Sequence, residues 1–192
     1  MEVVQFVTSN TGKFKEFQEI LGDGLGFNFV HRALELPELQ APLEEIAVNK
    51  CMQAAEIVQG PVLVDDAALA FKALNGLPGP YTKEFLQKIG LVGLNNMLAA
   101  YQDKTAQAIC TLAYTAGPGK EIKLFTGSVE GQIVVPTHPI KAMSFDAIFQ
   151  PDGAHSSYAE MGSKAKNNCS HRYKALMLLK GFFLKKGYKQ SK

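Results

Sequence analysis

Cysteine is scarce in this 192-residue chain and forms no pattern. Cys51, Cys110 and Cys169 lie far apart, with no CxxC pair and no metal-ligand spacing, which excludes a cysteine-built metal site or disulfide framework and predicts three reduced thiols in or near the core. Long apolar runs are missing too: none approaches the ~18 residues of a membrane span. Before the apolar Val3-Val4-Gln5-Phe6-Val7 there is no charged leader or cleavage site, so a cytoplasmic protein without a membrane partner is expected. Charge of one sign is not in excess. A formal net charge of +2 argues against a general polyanion binder and hence against a nucleic-acid partner. Internal repeats and low-complexity segments are also lacking.

What is present suffices for a sizeable core. Hydrophobic residues make up 46% of the chain, and the length suits a single domain, 1–192, with two lobes. The charge is uneven: residues 162–192 hold nine Lys or Arg and no acid, so that segment carries +9 and the remainder −7. Lys185, Lys186, Lys189 and Lys192 read as a solvated helix end that complements the helix dipole. Lys166 and Arg172 differ, because they precede or begin that helix.

The periodicities predict an α/β chain. Residues 3–8 read as a buried strand that runs through a polar turn into a helix, since Phe14, Phe17, Ile20 and Leu21 recur at helical spacing and glycines from Gly22 end the run. A second strand is predicted over 27–34 and a helix beginning at Pro42. In that helix Leu43, Ala47, Lys50, Ala54 and Ile57 fall on one line, so a lysine interrupts an apolar stripe, where it needs a partner. Pro61 to Val64 reads as a short strand ending at Asp65-Asp66, the edge where ligands sit in open α/β sheets. Two short helical patterns follow at 81–89 and 91–101. Long β segments at 105–115 and 120–135 are joined by Gly117-Pro118-Gly119, a further strand lies near 145–150, and a helix runs from about Ser170 to Lys186.

Four polar islands interrupt this pattern. Thr8-Ser9-Asn10-Thr11-Gly12-Lys13 offers backbone N–H groups, hydroxyls and a lysine at a helix start, which suits a polyphosphate or simply caps the helix. It is not a Walker A loop, because Val7 stands where the first glycine would be and Phe14 follows Lys13. Asp65-Asp66 is either a turn pair or, with Glu38, a set of hard oxygens for Mg2+. Lys50 is either a snorkelling lysine or a buried phosphate contact. Lys166-Asn167-Asn168-Cys169-Ser170-His171-Arg172 gathers cation, amide, hydroxyl and imidazole for an anionic ligand. His138 and His155 read as surface residues and His31 as a strand residue without a chemical role.

In this order and spacing the chain resembles the inosine triphosphate pyrophosphatases, closest to their eukaryotic branch. The motifs that carry the resemblance are Thr8-x-Asn10-x-x-Lys13, Gly60-Pro61-Val62-Leu63-Val64-Asp65-Asp66, Gly76-Leu77-Pro78-Gly79-Pro80-Tyr81, Phe149-Gln150-Pro151-Asp152-Gly153, Tyr158-Ala159-Glu160-Met161 and Lys166-Asn167-x-x-Ser170-His171-Arg172. The resemblance implies an elongated mixed β-sheet flanked by helices, with two lobes around a central nucleotide cleft, and a homodimer. It implies hydrolysis of non-canonical purine nucleoside triphosphates (ITP, dITP, XTP) to the monophosphate and pyrophosphate, with Mg2+, or Mn2+ in its place, as cofactor. Thr8, Ser9, Asn10, Lys13 and Lys50 would hold the triphosphate, with Asp66 and Ala67 beside it. Glu38 and Asp66 would bind the metal, and Asp66, with Asp65, would activate water. Met143, Ser144, Phe145, Asp146, Lys166, Ser170, His171 and Arg172 would address the base. Where the family usually shows an aromatic residue, Gly, Trp or Tyr, Asp and Pro, this chain has Met143-Ser144-Phe145-Asp146-Ala147, so base stacking worth ~1–3 kcal/mol on an aromatic ring is expected to be weaker. Close relatives also carry Glu where this chain has Asp65. The rival readings are a pyrophosphatase for another altered nucleotide and a nucleotide-binding protein without turnover.

Overall fold

The computed structural model describes residues 3–22, 28–136 and 144–185. Strand β1 (Val3–Val7) buries Val4 and Phe6 completely, then yields at Asn10 to helix α1 (Thr11–Leu21). The Asn10 side chain accepts from the Gly12 and Lys13 amides, satisfying donors a helix start leaves open. Strand β2 (Asn28–Arg32) leads through an extended segment to α2 (Leu43–Val58), which Pro42 opens and Glu44 and Glu45 favour by their charge in its first turn. The apolar line of α2 is shorter than predicted. Ala47, Cys51, Ala54 and Ala55 are buried, whereas Ile57 is 54% exposed.

Strand β3 corrects the sequence reading most. It spans Val62–Phe71, so Asp65 and Asp66 lie inside the strand rather than at its end. The acids do not break it because each finds a cation on its own face, and the apolar run resumes at Ala67-Ala68-Leu69. Strand β4 (Pro78–Gly79) pairs antiparallel with β3. Helix α3 (Thr82–Asn96) is interrupted by Gly90 at φ 65°, a conformation side chains disfavour, so both predicted helical stretches are present, although the second ends at Asn96 and gives way to turns rather than running to 101. Strands β5 (Thr105–Thr115) and β6 (Ile122–Ile133) form the predicted hairpin. The predicted strand at 145–150 is mostly something else: Phe145–Ala147 form a 3-10 turn, capped when Ser144 Oγ accepts from the Asp146 amide, and β7 is only Phe149–Pro151. At Gly131 a Cβ would meet Gln150 O at 2.3 Å, so glycine permits the β6–β7 approach. Helices α4 (Ser163–Lys166) and α5 (His171–Lys185) follow. Lys186, Lys189, Lys192, His138 and Met143 lie outside the described residues.

These strands make one mixed seven-stranded sheet, ordered β2-β1-β3-β5-β6-β7 with β4 added to β3. β1 is parallel to β2 and β3, and β6 is antiparallel to β7. The chain divides into two compact units: Met1–Asp66, Cys110–Gly127 and Arg172–Lys192 form the first, Ala67–Ile109 and Ser128–His171 the second. Strand alternation splits the first unit's core by face. Phe6, Leu63, Cys110 and Leu112 pack with Phe17 of α1 and Leu176, Leu179 and Phe183 of α5, while Val7, Val62, Val64 and Ala113 pack with Ala47, Cys51 and Ala54 of α2. In the second unit Leu69, Phe71, Leu94, Leu98, Phe149 and Tyr158 belong to one cluster. Cys51 and Cys110 are buried free thiols as expected, but Cys169 is exposed, because it falls in the turn before α5.

Candidate active site

The first unit gathers two charged groups around β3, one on each face. Asp65 points to the α1–α5 face, where its side chain has no solvent exposure. Lys13 Nζ lies 2.8 Å from its Oδ1 and also donates to its backbone carbonyl at 2.8 Å. Arg172 donates from Nε to Asp65 Oδ2 at 2.8 Å and from Nη2 to Oδ1 at 3.3 Å, while its Nη1 reaches Glu16 Oε2 at 2.6 Å. The Cys110 thiol donates to Asp65 Oδ2 at 3.6 Å. Burial alone would raise the Asp65 pKa, but Arg172 first and Lys13 second hold it far below the usual carboxylate range. The Cys110 thiol is pushed well up, by burial and then by the Asp65 charge. Both Asp65 oxygens are thus committed to protein cations.

Asp66 points the other way, to α2. Lys50 Nζ donates to Asp66 Oδ1 and, at 3.1 Å, to Glu38 Oε1. Burial tends to lower the Lys50 pKa, but Asp66 and then Glu38 outweigh it and hold the ammonium above its ordinary value. The predicted lysine on the apolar stripe therefore has its partners. Asp66 Oδ2 is buried and has no hydrogen-bond partner among the described residues. No cluster of three or more His, Cys, Asp or Glu exists among them. Two carboxylates that converge on one cation, with a bare buried oxygen beside them, fit a hard divalent ion that draws its remaining ligands from substrate and water.

The segment Thr8–Lys13 is fixed by its neighbours. Thr8 Oγ1 accepts from the Asn10 amide at 3.1 Å, the Thr8 amide donates to Arg32 O at 3.1 Å, and His31 Nε2 donates to Thr8 O at 2.9 Å. The His31 ring stacks on Phe14, 5.2 Å between centroids. Ser9 and Asn10 remain exposed, and the first turn of α1 contains no acid, so this helix start can receive an anion.

The second unit holds the other predicted residues that are described. Lys166 Nζ pairs with Asp146 Oδ2 at 2.8 Å and lies 5.8 Å from the centre of the Tyr158 ring. The buried His171 ring has Phe145 at 5.6 Å and Tyr158 at 5.7 Å. Ser144 caps the turn that carries Phe145 and Asp146, Ser170 is fully buried, and Ala67 opens this unit's part of β3. Sequence reasoning missed Glu16, His31 and Tyr158 as members of these groups. Glu16 had one signal, its position three residues after Lys13 on the same helix face. Tyr158 stood in a motif of the resemblance but was given no role.

Residues 4–182 match the model of the Ham1 family. The chain is similar to the inosine triphosphate pyrophosphatase of Chaetomium globosum, at 50% identity over 183 residues that cover 95% of this chain and 93% of that protein. It is similar to the enzyme of that name from Schizosaccharomyces pombe, at 47% identity over 182 residues and 95% of each chain. Among solved structures it resembles a Ham1 protein from Coxiella burnetii (TM-score 0.85, 25% identity, 96% of this chain and 100% of that one) and one from Staphylococcus aureus (TM-score 0.79, 26% identity, the same coverage).

Proposed function

We infer that this chain, which belongs to the Ham1 family, is a nucleoside triphosphate pyrophosphatase that hydrolyses the non-canonical purine triphosphates ITP, dITP and XTP to the monophosphate and pyrophosphate. The observation that carries the assignment of its chemistry is Asp66, with one oxygen on Lys50 and the other buried without a hydrogen-bond partner among the described residues. In this reading the hydroxyls of Thr8 and Ser9 and the side-chain amide of Asn10, with Lys13 and Lys50, hold the triphosphate, and Ala67 is assigned with them on the resemblance. Glu38 and Asp66 hold Mg2+, for which Mn2+ can stand in. When bound, the ion would neutralise charge on the phosphate oxygens. Asp66 orients the attacking water and takes its proton as the water oxygen bonds to the α-phosphorus. The bond from that phosphorus to the α–β bridging oxygen breaks, and pyrophosphate leaves with the electron pair.

Asp65 serves the reaction differently: with both oxygens engaged, it sets the position of Lys13. Arg172, whose Nε, Nη1 and Nη2 lie on Asp65 and Glu16, is assigned as a positioning residue. For the base, the proposed donors are Lys166, Ser170 and His171, with Ser144, Phe145 and Asp146 alongside, and Met143 is assigned with them on the resemblance. Donors that meet a 6-keto oxygen would face another donor if adenine bound, and a buried unpaired donor costs about 1–3 kcal/mol. A homodimer and a cytoplasmic location complete the proposal. The first rests on the resemblance and is checked by sedimentation of the purified protein; the second accords with the absence, among the described residues, of a helix long and apolar enough to cross a membrane, and is checked by fractionation.

The test is pyrophosphate release from ITP, dITP, XTP, GTP, ATP and pyrimidine triphosphates, with Mg2+ and with a chelator, in water enriched in 18O. Metal-dependent release from the first three, with label in the monophosphate, is expected. Release from a different base would reassign the second unit's residues, and none at all would favour a binding protein.

A further inference from the structure

Glu38 and Asp66 meet in the first unit on a single ammonium. Lys50 Nζ donates to Glu38 Oε1 at 3.1 Å and to Asp66 Oδ1, and only 15% of the Lys50 side chain is exposed. The lysine is brought there by α2, whose Ala47, Cys51 and Ala54 anchor the helix against Val62 and Val64 of β3. Two carboxylates this close repel unless a cation lies between them, and here the chain supplies one from its own side chain. A divalent ion drawing on those carboxylates would come within a few ångströms of that ammonium, and two cations so placed repel, the more so on the Asp66 side, where that side chain is only 13% exposed, than at Glu38, which is 36% exposed. The lysine's long stem gives it a second position to move to, and a polyanion arriving beside it supplies the reason.

We propose that Lys50 is an internal stand-in for the metal: it holds Glu38 and Asp66 together in the nucleotide-free protein and moves onto the incoming phosphates as the divalent ion takes its place. The ion consequently enters with the nucleotide rather than before it, and the two carboxylates keep a counter-charge throughout. This rests on the assignment of Glu38 and Asp66 as the metal pair.

The probe is Mn2+ alone, titrated into nucleotide-free protein and followed by the electron paramagnetic resonance signal of the unbound ion. Wild type is compared with Glu38→Gln, Lys50→Met, Lys50→Gln and the double variants that join each Lys50 change to Glu38→Gln, each checked for folding by circular dichroism. Loss of the competing ammonium is expected to tighten Mn2+ binding by about tenfold or more, and Glu38→Gln to remove that gain. Lys50→Gln retains a polar head for the two acids, so it carries the test should Lys50→Met fail to fold. Folded Lys50 variants that bind Mn2+ no more tightly than wild type would overturn the stand-in role, while a loss of affinity on Glu38→Gln would show that the metal pair survives. If Glu38→Gln changes Mn2+ binding in neither background, the metal-pair assignment falls and the stand-in role with it.

Discussion

Asp65 and Asp66 are adjacent on β3 and identical in chemistry, yet strand alternation sends them to opposite faces and different surroundings. On the α1–α5 face Asp65 is sealed, with Arg172 and Lys13 on its oxygens and Cys110 behind it. On the α2 face Asp66 has one oxygen on Lys50 and the other without a hydrogen-bond partner among the described residues. The contrast teaches that a carboxylate's task is set by what meets its lone pairs. Saturated by fixed cations, Asp65 organises other groups; left half-satisfied, Asp66 can accept a metal or the proton of a water.

The strongest way to break the comparison is to unseal Asp65. Arg172→Ala strips that buried carboxylate of its main partner and should cost about 3–5 kcal/mol of unfolding free energy in urea titrations; a loss near zero would mean that Asp65 is not held as described. Acid gives a second approach. The folded pKa of Asp65 is depressed, so its stabilising contribution is complete above the unfolded carboxylate value of about 3.9 and fades as pH falls from there toward the folded one. Urea midpoints should therefore drop more steeply below pH 4 in wild type than in Asp65→Asn, whereas parallel acid limbs would deny the shift. A smaller effect is expected at His31. Removing its bond to Thr8 O loosens the proposed phosphate loop, so His31→Ala should raise KM severalfold with little change in kcat, in line with the ~0.5–1.5 kcal/mol of one hydrogen bond, and a donor in Gln should restore part of it. Smallest is a probe of the thiols. Cys169 should react with a disulfide reagent in the native protein, while Cys51, its pKa raised to about 12 by burial, and Cys110 should wait for unfolding; three fast thiols would contradict the buried pair.

Much of the fold was legible because it is written in local periodicity. The spacing of Phe14, Phe17 and Leu21, the Pro42 start of α2 and the break at Gly90 all act within a few residues. Asp65-Asp66 was misread as a strand end for the opposite reason. The partners that let Asp65 stay inside β3 come from 52 residues upstream in Lys13 and 107 downstream in Arg172, and that of Asp66 from the preceding helix in Lys50, 16 residues upstream; the first two lie in no local window along the sequence. The same holds for His31, whose acceptor on Thr8 is supplied by sheet register. The sequence reading puts Phe145 and Asp146 in a strand near 145–150, but with the Ser144 side chain as cap they form a turn. For the site, Lys50 was legible as a charge out of place on a buried stripe. Glu16 was not, since its importance arises only once Arg172 arrives from α5.

The division between the two aspartates is tested most directly by comparing Asp65→Asn and Asp66→Asn for both single-turnover pyrophosphate release from ITP and urea stability. Asp66→Asn should keep its fold and lose about a thousandfold or more in rate, the scale of a removed acid–base group, while Asp65→Asn should lose stability first. An Asp66→Asn protein that turns over near the wild-type rate would contradict the account.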